Sequence, residues 1–142
     1  MASRQAPTAR TTRWSYETTL AAEPASAPRA RAFVARHLSE HRLPHLIDPV
    51  RLIASELATN ALVHAQTRFT ITLSELDDIV LLCVRDGSPE LAAKAVPDTS
   101  GTSGRGLKIV ALLSLDWGVG TDADGSKTVW ASFSRRQAHR TT

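Results

Sequence analysis

The chain has 142 residues, which is the size of one domain and too short for a catalytic domain together with a sensor or dimerisation domain. Its hydrophobic fraction of 42% and charged fraction of 22% exclude a disordered chain, and no apolar run approaches the ~18 residues of a membrane span. The formal net charge is +3, but residues 14–134 hold 11 basic and 14 acidic residues, so the excess of basic residues lies at the two ends. This distribution argues against a nucleic-acid-binding protein, which needs a basic stripe on a folded face.

We predict three regions along the chain. Residues 1–12 are rich in Arg, Ser, Thr and Ala and lack acidic residues, which indicates a disordered tail. Residues 13–134 form the folded domain, and residues 135–142 form a basic C-terminal tail. The sequence has no apolar segment for secretion, and the single cysteine, Cys83, has no partner for a disulfide or a zinc site. We therefore expect a cytoplasmic protein.

The first part of the folded region predicts an edge strand and two helices. Residues 14–20 alternate loosely between apolar and polar, as an edge strand does. Apolar residues at helical spacing then predict a first helix, which Ser26 caps and which ends within residues 41–44. Asp48 and Pro49 are predicted to open the second helix, because proline suits the first helical turn.

Alternation continues after the second helix and predicts a hairpin. Apolar side chains in residues 68–73 alternate with polar ones, which is typical of a half-buried strand. Asp77 and Asp78 form a turn, and residues 79–85 read as a more deeply buried strand.

The last part of the domain predicts a long loop, a third helix and two closing strands. Residues 90–103 are irregular, and a loop of this length in a compact domain is usually functional. Residues 106–115 read as a helix, and residues 117–120 and 127–133 read as strands with a turn at Asp124-Gly125. Hairpin-linked strands with grouped helices indicate an α+β two-layer sandwich, with helices on one face of a mainly antiparallel mixed sheet.

The second helix carries a row of polar side chains. Glu56, Asn60 and His64 are spaced i, i+4 and i+8, beside the apolar stripe that includes Leu57 and Ala61. Such a row is either a solvated flank or a magnesium–triphosphate site. In the second case the amide oxygen coordinates Mg²⁺ and the carboxylate deprotonates an attacking hydroxyl.

Three other segments contain candidate ligand-binding residues. Asp86-Gly87 ends a buried strand, where Asp86 either starts a turn or accepts a hydrogen bond from an adenine amino group. Residues 100–106 are glycine-rich and run into a helix, so their N–H groups could bind an anion beside Arg105, although the spacing differs from that of a P-loop. Residues 125–128 form either a tight turn alone or a turn that places Thr128 beside a base pocket.

Four segments stand in a fixed order and closely resemble the motifs of the GHKL ATPase superfamily, with its Bergerat ATP-binding fold. Within that superfamily the chain resembles the stand-alone anti-sigma-factor serine kinases of bacteria, especially the short actinobacterial versions. The resemblance covers residues 13–133, nearly the whole chain. The segments are Ser55-Glu56-Leu57-Ala58-Thr59-Asn60-Ala61-Leu62-Val63-His64-Ala65, Val84-Arg85-Asp86-Gly87, Gly104-Arg105-Gly106-Leu107-Lys108-Ile109-Val110 and Gly125-Ser126-Lys127-Thr128-Val129-Trp130.

The resemblance implies a role for each matching residue near the phosphates and the metal. Glu56 matches the general base and Asn60 matches the Mg²⁺ ligand of the same helical motif. Gly104, Arg105 and Gly106 match the second glycine box, with Arg105 near the γ-phosphate. Leu107, which follows within the same segment, is expected among the nucleotide-binding residues, and residues 90–103 would form the ATP lid.

At the base end, the resemblance implies that Asp86 reads the adenine and that Gly87 lies beside it. Thr128 matches the threonine that helps to hold the adenine. One departure concerns Pro89, which occupies the place of a second glycine and is expected to stiffen the loop and lower nucleotide affinity.

The expected function is that of an ATP- and Mg²⁺-dependent protein-serine kinase that binds a sigma factor and phosphorylates an anti-anti-sigma protein of the STAS type. The alternative is a nucleotide-gated anti-sigma module that binds its partner without kinase turnover. The resemblance also allows a homodimer, and neither nucleic acid nor membrane is expected as a partner.

Overall fold

The computed structural model describes residues 4–8, 10–87 and 102–136, with the backbone alone for His64 and residues 102–107. It contains one five-stranded sheet and three α-helices in this part of the chain. The strands are β1 (Thr12–Leu20), β2 (Phe69–Leu76), β3 (Ile79–Asp86), β4 (Asp116–Thr121) and β5 (Lys127–Ser134). The helices are α1 (Ser26–Glu40), α2 (Pro44–Asn60) and α3, which is described from Thr102 to Leu113.

The strand order is β1-β2-β3-β5-β4. This confirms the predicted α+β fold and the position of β1 at an edge. All four pairings between these strands are antiparallel, so the described sheet has no parallel pair of the kind that a mixed sheet contains. The hairpin of β2 and β3 turns at Asp77, whose φ of 52° lies in the left-handed region.

The hydrophobic core lies between the helices and one side of the sheet, which we call the inner face; the other side is the outer face. Because strand side chains alternate, β2, β3 and β5 each send every second residue into this core. None of the described helices is long and apolar enough to cross a membrane. The largest fully buried apolar side chains are Phe69, Leu38, Ile53, Leu57, Ile71, Leu73, Leu82, Val34, Val50, Val80 and Val110.

The connection between α1 and α2 differs from the prediction. Arg42 adopts a left-handed φ of 60°, and the Leu43 N–H donates to the Leu38 carbonyl, as in a Schellman motif. The helix α2 then begins at once with Pro44 in its first turn, so the predicted start at Asp48 and Pro49 is wrong. Pro49 instead lies inside the helix, where it leaves one N–H bond unmade.

The predicted cap of α1 is also wrong. The helix begins at Ser26 itself, with Ala25 in the capping position and no capping hydrogen bond from a side chain. The Ser26 hydroxyl, which is buried, donates to the Ala21 carbonyl at 2.6 Å instead. It therefore fixes the link from β1 rather than accepting a helical N–H.

An N-terminal segment lies against β4, although it belongs to the predicted disordered tail. The Arg4 N–H donates to the Val119 carbonyl at 2.8 Å, and the Trp130 indole N–H donates to the Arg4 carbonyl at 2.9 Å. A Cβ on Gly118 would lie 2.8 Å from the Arg4 Cβ, so only glycine allows this close approach. The segment therefore occupies the open edge of β4.

Candidate functional site

Glu56 and Asn60 lie one turn apart on the same flank of α2. Both are part of the regular α-helix, so their i, i+4 spacing places them side by side, as the sequence predicts. Leu57 and Ala61, the next residue in each case, are buried at 2% and 3% exposure. Glu56 and Asn60 are only half-buried. Their polar groups thus border the core and remain open to a ligand.

A hydrogen-bonded link to α1 holds this stretch of α2 in place. The Arg31 guanidinium donates to the Ser55 hydroxyl at 3.0 Å, and the Thr59 hydroxyl donates to the Ser55 carbonyl at 2.9 Å. Because Ser55 and Thr59 directly precede Glu56 and Asn60, the link restrains the backbone that carries the candidate base and metal ligand.

The helix changes its winding directly after Asn60. Residues Ala61–Ala65 form a π-helical turn, which ends at Gln66 with a left-handed φ of 56°. A π-helix bonds residue i to i+5, so the regular α-helical winding that carries Glu56 and Asn60 ends before His64. The side chain of His64 lies outside the described part, so its predicted place in the row stays a prediction. Such π turns are frequent at functional sites.

Asp86 is buried at the end of β3, at 4% exposure. In the sheet register it is paired with Lys127, the first residue of β5, so both side chains are on the inner face. The Lys127 Nζ lies 3.6 Å from the Asp86 Oδ2, and their side chains are 12% and 4% exposed. The predicted base-reading carboxylate therefore has the ammonium group of a largely buried lysine as its neighbour.

Thr128 does not lie with Asp86, which corrects the predicted role of this threonine. Its register partner is Arg85, and both residues are on the outer face.

Lys127 is a residue of the candidate site that the sequence motifs did not single out. Counting back in twos from the inward-facing residues Val129 and Ala131 would have identified it, because strand side chains alternate.

The turn that leads into β5 is fixed by a cluster of charged groups. The Arg85 guanidinium donates to the Asp124 carboxylate at 2.9 Å, and the Ser126 hydroxyl donates to the same carboxylate at 2.6 Å. These hydrogen bonds, with that from Ser126 the strongest influence, hold the pKa of Asp124 below its usual range. Gly125 supplies the left-handed φ of 89° that the turn requires. The cluster thereby fixes the position of Lys127.

Gly87 follows Asp86 and borders open space. Its N–H donates to the Thr67 hydroxyl at 3.3 Å, which ties the end of β3 to the start of β2. A Cβ built on Gly87 would meet no atom of the described residues within 4 Å. The predicted place of Gly87 beside a base is compatible with this space.

The glycine-rich segment is helical rather than a loop before a helix. Since α3 is described from Thr102, the backbone of Gly104, Arg105, Gly106 and Leu107 belongs to its first turns. The predicted start at residue 106 is therefore too late. The side chains of these four residues, and residues 90–101 of the predicted lid, lie outside the described part, so their roles stay predictions.

An open cleft of about 250 Å³ lies at the same end of the sheet. Its lining includes Thr70 and Arg85, which face outward, together with Asp86 and Gly87. The cleft therefore opens on the outer side of the sheet, away from α2.

The donor set fits Mg²⁺ only with help from a ligand. Among the described residues, no group of three or more His, Cys, Asp or Glu side chains could hold a metal ion. Asn60 offers a single hard amide oxygen. Mg²⁺ in nucleotide sites is commonly held by one or two protein oxygens together with substrate phosphates and water. A magnesium nucleotide therefore suits Asn60 better than free Mg²⁺ does.

Comparison with known proteins agrees with this architecture. The family model described as a histidine kinase-like ATPase domain matches residues 20–133. The match spans all three α-helices and the strands β2 to β5. It includes the candidate site residues Glu56, Asn60 and Asp86. A search of curated proteins finds no match. An ATPase domain of this kind binds ATP. The chain therefore belongs to the family of histidine kinase-like ATPase domains.

Proposed function

We propose that the protein is a cytoplasmic, ATP-dependent protein-serine kinase that phosphorylates an anti-anti-sigma partner of the STAS type and also binds a sigma factor. The observation that carries the proposal is the pairing of Glu56 and Asn60 on one half-buried flank of α2, in a domain of the histidine kinase-like ATPase family. A domain that only bound nucleotide would have no need of a carboxylate one turn from the metal ligand.

In this proposal each residue acts on a different part of the reaction. Asp86 accepts a hydrogen bond from the adenine amino group. Asn60 supplies one oxygen ligand to Mg²⁺, which offsets the negative charge of the triphosphate when it is bound. Glu56 accepts the proton from the attacking serine hydroxyl of the partner. Arg105, at the start of α3, contacts the γ-phosphate and offsets charge on the transferring phosphoryl group.

The direct test combines the purified protein, Mg-ATP and a panel of purified STAS-type anti-anti-sigma proteins. We expect phosphoserine on the cognate partner, detected by mass spectrometry. If the protein binds ATP tightly and transfers phosphate to none of the panel, the kinase activity is refuted for these substrates, and a binding module becomes the better explanation.

Substitution of Glu56 separates the kinase from a nucleotide-gated binding module. Glu56→Ala should lower phosphotransfer by about 10²- to 10⁴-fold, as is typical when an acid–base catalyst is lost, with ATP affinity little changed. Glu17→Ala, on the exposed outer side of β1, is the matched control and should leave the rate unchanged. An unchanged rate in Glu56→Ala would contradict its role as the base.

A further inference from the structure

Asp86, which is buried, and Lys127, which is largely buried, form a pair on the inner face, at the end of β3 and the start of β5. The register makes Asp86 and Lys127 Cα partners, and the cluster around Asp124 and Arg85 fixes the turn that precedes Lys127. The lysine side chain is only 12% exposed. Lysines rarely give up this much hydration, and a buried charge of this kind is retained only beside a partner of opposite charge.

The distance within the pair leaves the ammonium group able to bind a ligand. A tight charge-assisted N–H···O bond measures ~2.7–2.9 Å. The Lys127 Nζ lies 3.6 Å from the Asp86 Oδ2, so the two charges attract each other without such a bond. An ammonium group has three N–H donors. Asp86 and Lys127 therefore present an acceptor and a donor side by side.

This arrangement matches the edge of adenine. The 6-amino group of adenine is a donor, and the ring nitrogens beside it, N1 on one side and N7 on the other, are acceptors. A carboxylate alone can read only the amino group. A carboxylate with a neighbouring ammonium can read the amino group and one adjoining ring nitrogen together.

We propose that Lys127 is a specificity-determining residue of the nucleotide site, donating to an adenine ring nitrogen while Asp86 accepts from the 6-amino group. The proposal rests on the binding of ATP at Asp86, as in the proposed function. It gives Lys127 the adenine-holding role that the family resemblance implies for Thr128, which lies on the outer face.

The test measures the affinities of three nucleotides by isothermal titration calorimetry. ATP is compared with 1-deaza-ATP and 7-deaza-ATP, each of which lacks one of the two ring-nitrogen acceptors. Removing the acceptor of a hydrogen bond from a charged donor lowers the affinity for the ligand by about 10- to 100-fold. We therefore expect the wild-type protein to bind one of the two analogues about 10- to 100-fold more weakly than ATP.

Variants show whether Lys127 is the cause of that preference. In Lys127→Met the preference for ATP over the same analogue should fall by at least about tenfold. Thr128→Val, one position further along β5 and on the opposite face, should keep the full preference. The melting temperature of each variant checks its folding, and Lys127→Ala, which also lacks a donor, replaces Lys127→Met if the latter does not fold.

The outcomes separate this proposal from the function on which it rests. If the wild-type protein binds all three nucleotides equally, or if the preference survives in the Lys127 variant, Lys127 does not read the base. If the wild-type protein does not bind ATP at all, the proposed nucleotide site itself is wrong.

Discussion

Cys83 lies on β3 opposite Trp130 of β5, on the outer face of the sheet. Burial raises the pKa of its thiol to about 11, since the thiolate would lose its hydration there. The thiolate is the reactive form of cysteine, so Cys83 should react slowly at neutral pH. Because the pKa of Cys83 is higher in the folded protein than its ordinary value of 9.0, deprotonation of the thiol favours unfolding. The contribution of the protonated thiol to the free energy of unfolding is therefore kept at neutral pH and is lost as the pH rises from about 9 to about 11.

Alkylation of Cys83 should therefore depend strongly on folding. The pKa rises from an ordinary value of 9.0 to about 11, so iodoacetamide at pH 8 should react roughly 100-fold more slowly with the native protein than with the urea-unfolded protein. Mass spectrometry of timed samples measures both rates. Equal rates would show that Cys83 is not buried as described.

At the scale of elements, Glu75 connects three strands at the end of the sheet opposite Asp86. Glu75 is only 4% exposed, and its carboxylate accepts a hydrogen bond from the Trp14 indole of β1 at 2.9 Å. The same carboxylate lies 3.3 Å from the Arg13 guanidinium of β1 and 2.7 Å from that of Arg135, just after β5. It thus links β1 and the end of β5 to β2.

Neutralising this carboxylate should weaken the fold. Glu75→Gln removes the charge that balances Arg13 and Arg135, and both of these guanidinium groups can be rehydrated because they are about half exposed. We therefore expect the free energy of unfolding to fall by about 2 kcal/mol, the scale of a hydrogen bond to a charged group. Urea unfolding measures this change. Glu17→Gln on the exposed side of β1 is the control, and an equal effect in the two variants would contradict the account.

The sequence pattern predicts each α-helix and strand of the described part, but it misplaces the cap of α1 and the starts of α2 and α3. Periodicity identifies α2 from its buried stripe, yet Pro44 and Pro49 are both suited to a first turn, and the pattern does not choose between them. The choice depends on Arg42, whose left-handed φ of 60° ends α1 early enough for α2 to begin at Pro44. Left-handed arginines are uncommon, so composition gives little indication of this turn.

The candidate site is predictable where one element carries it and less so where two strands must be aligned. Glu56 and Asn60 lie on one helix, so their spacing alone places them together. Asp86 and Lys127 meet only through the register of β3 with β5. A shift of one residue in that register moves every side chain to the other face, so a motif match that is one residue off selects Thr128 in place of Lys127.

At the scale of the whole molecule, the N-terminal segment protects one edge of the sheet. The Arg4 segment covers the edge of β4, and the Arg4 guanidinium lies 2.7 Å from the Asp116 carboxylate and 5.4 Å from the centre of the Trp130 ring. The hydrogen bond from Arg4 holds the pKa of Asp116 below its usual range. This stabilisation is present at neutral pH and is lost as the pH falls through the lowered pKa of Asp116.

Removal of residues 1–8 should expose the β4 edge and release Trp130. The Trp130 indole N–H loses its acceptor, the Arg4 carbonyl, so it should exchange with D₂O faster than in the full chain. The pKa of Asp116 should rise towards its usual value. NMR measures both effects, with Arg10→Ala as the control, since the Arg10 side chain is exposed. Unchanged indole exchange in the truncated protein would refute the contact.

The most direct test of the nucleotide site is a calorimetric titration of ATP with and without Mg²⁺, in the wild-type protein and in Asn60→Ala. Asn60 lies beside the core stripe of α2 and is only half-buried, so the variant should keep its melting temperature. We predict that Mg²⁺ strengthens ATP binding to the wild-type protein and that this gain disappears in the folded variant. The site described on α2 would be contradicted by an equal Mg²⁺-dependent gain in both proteins, or by no ATP binding in the wild-type protein.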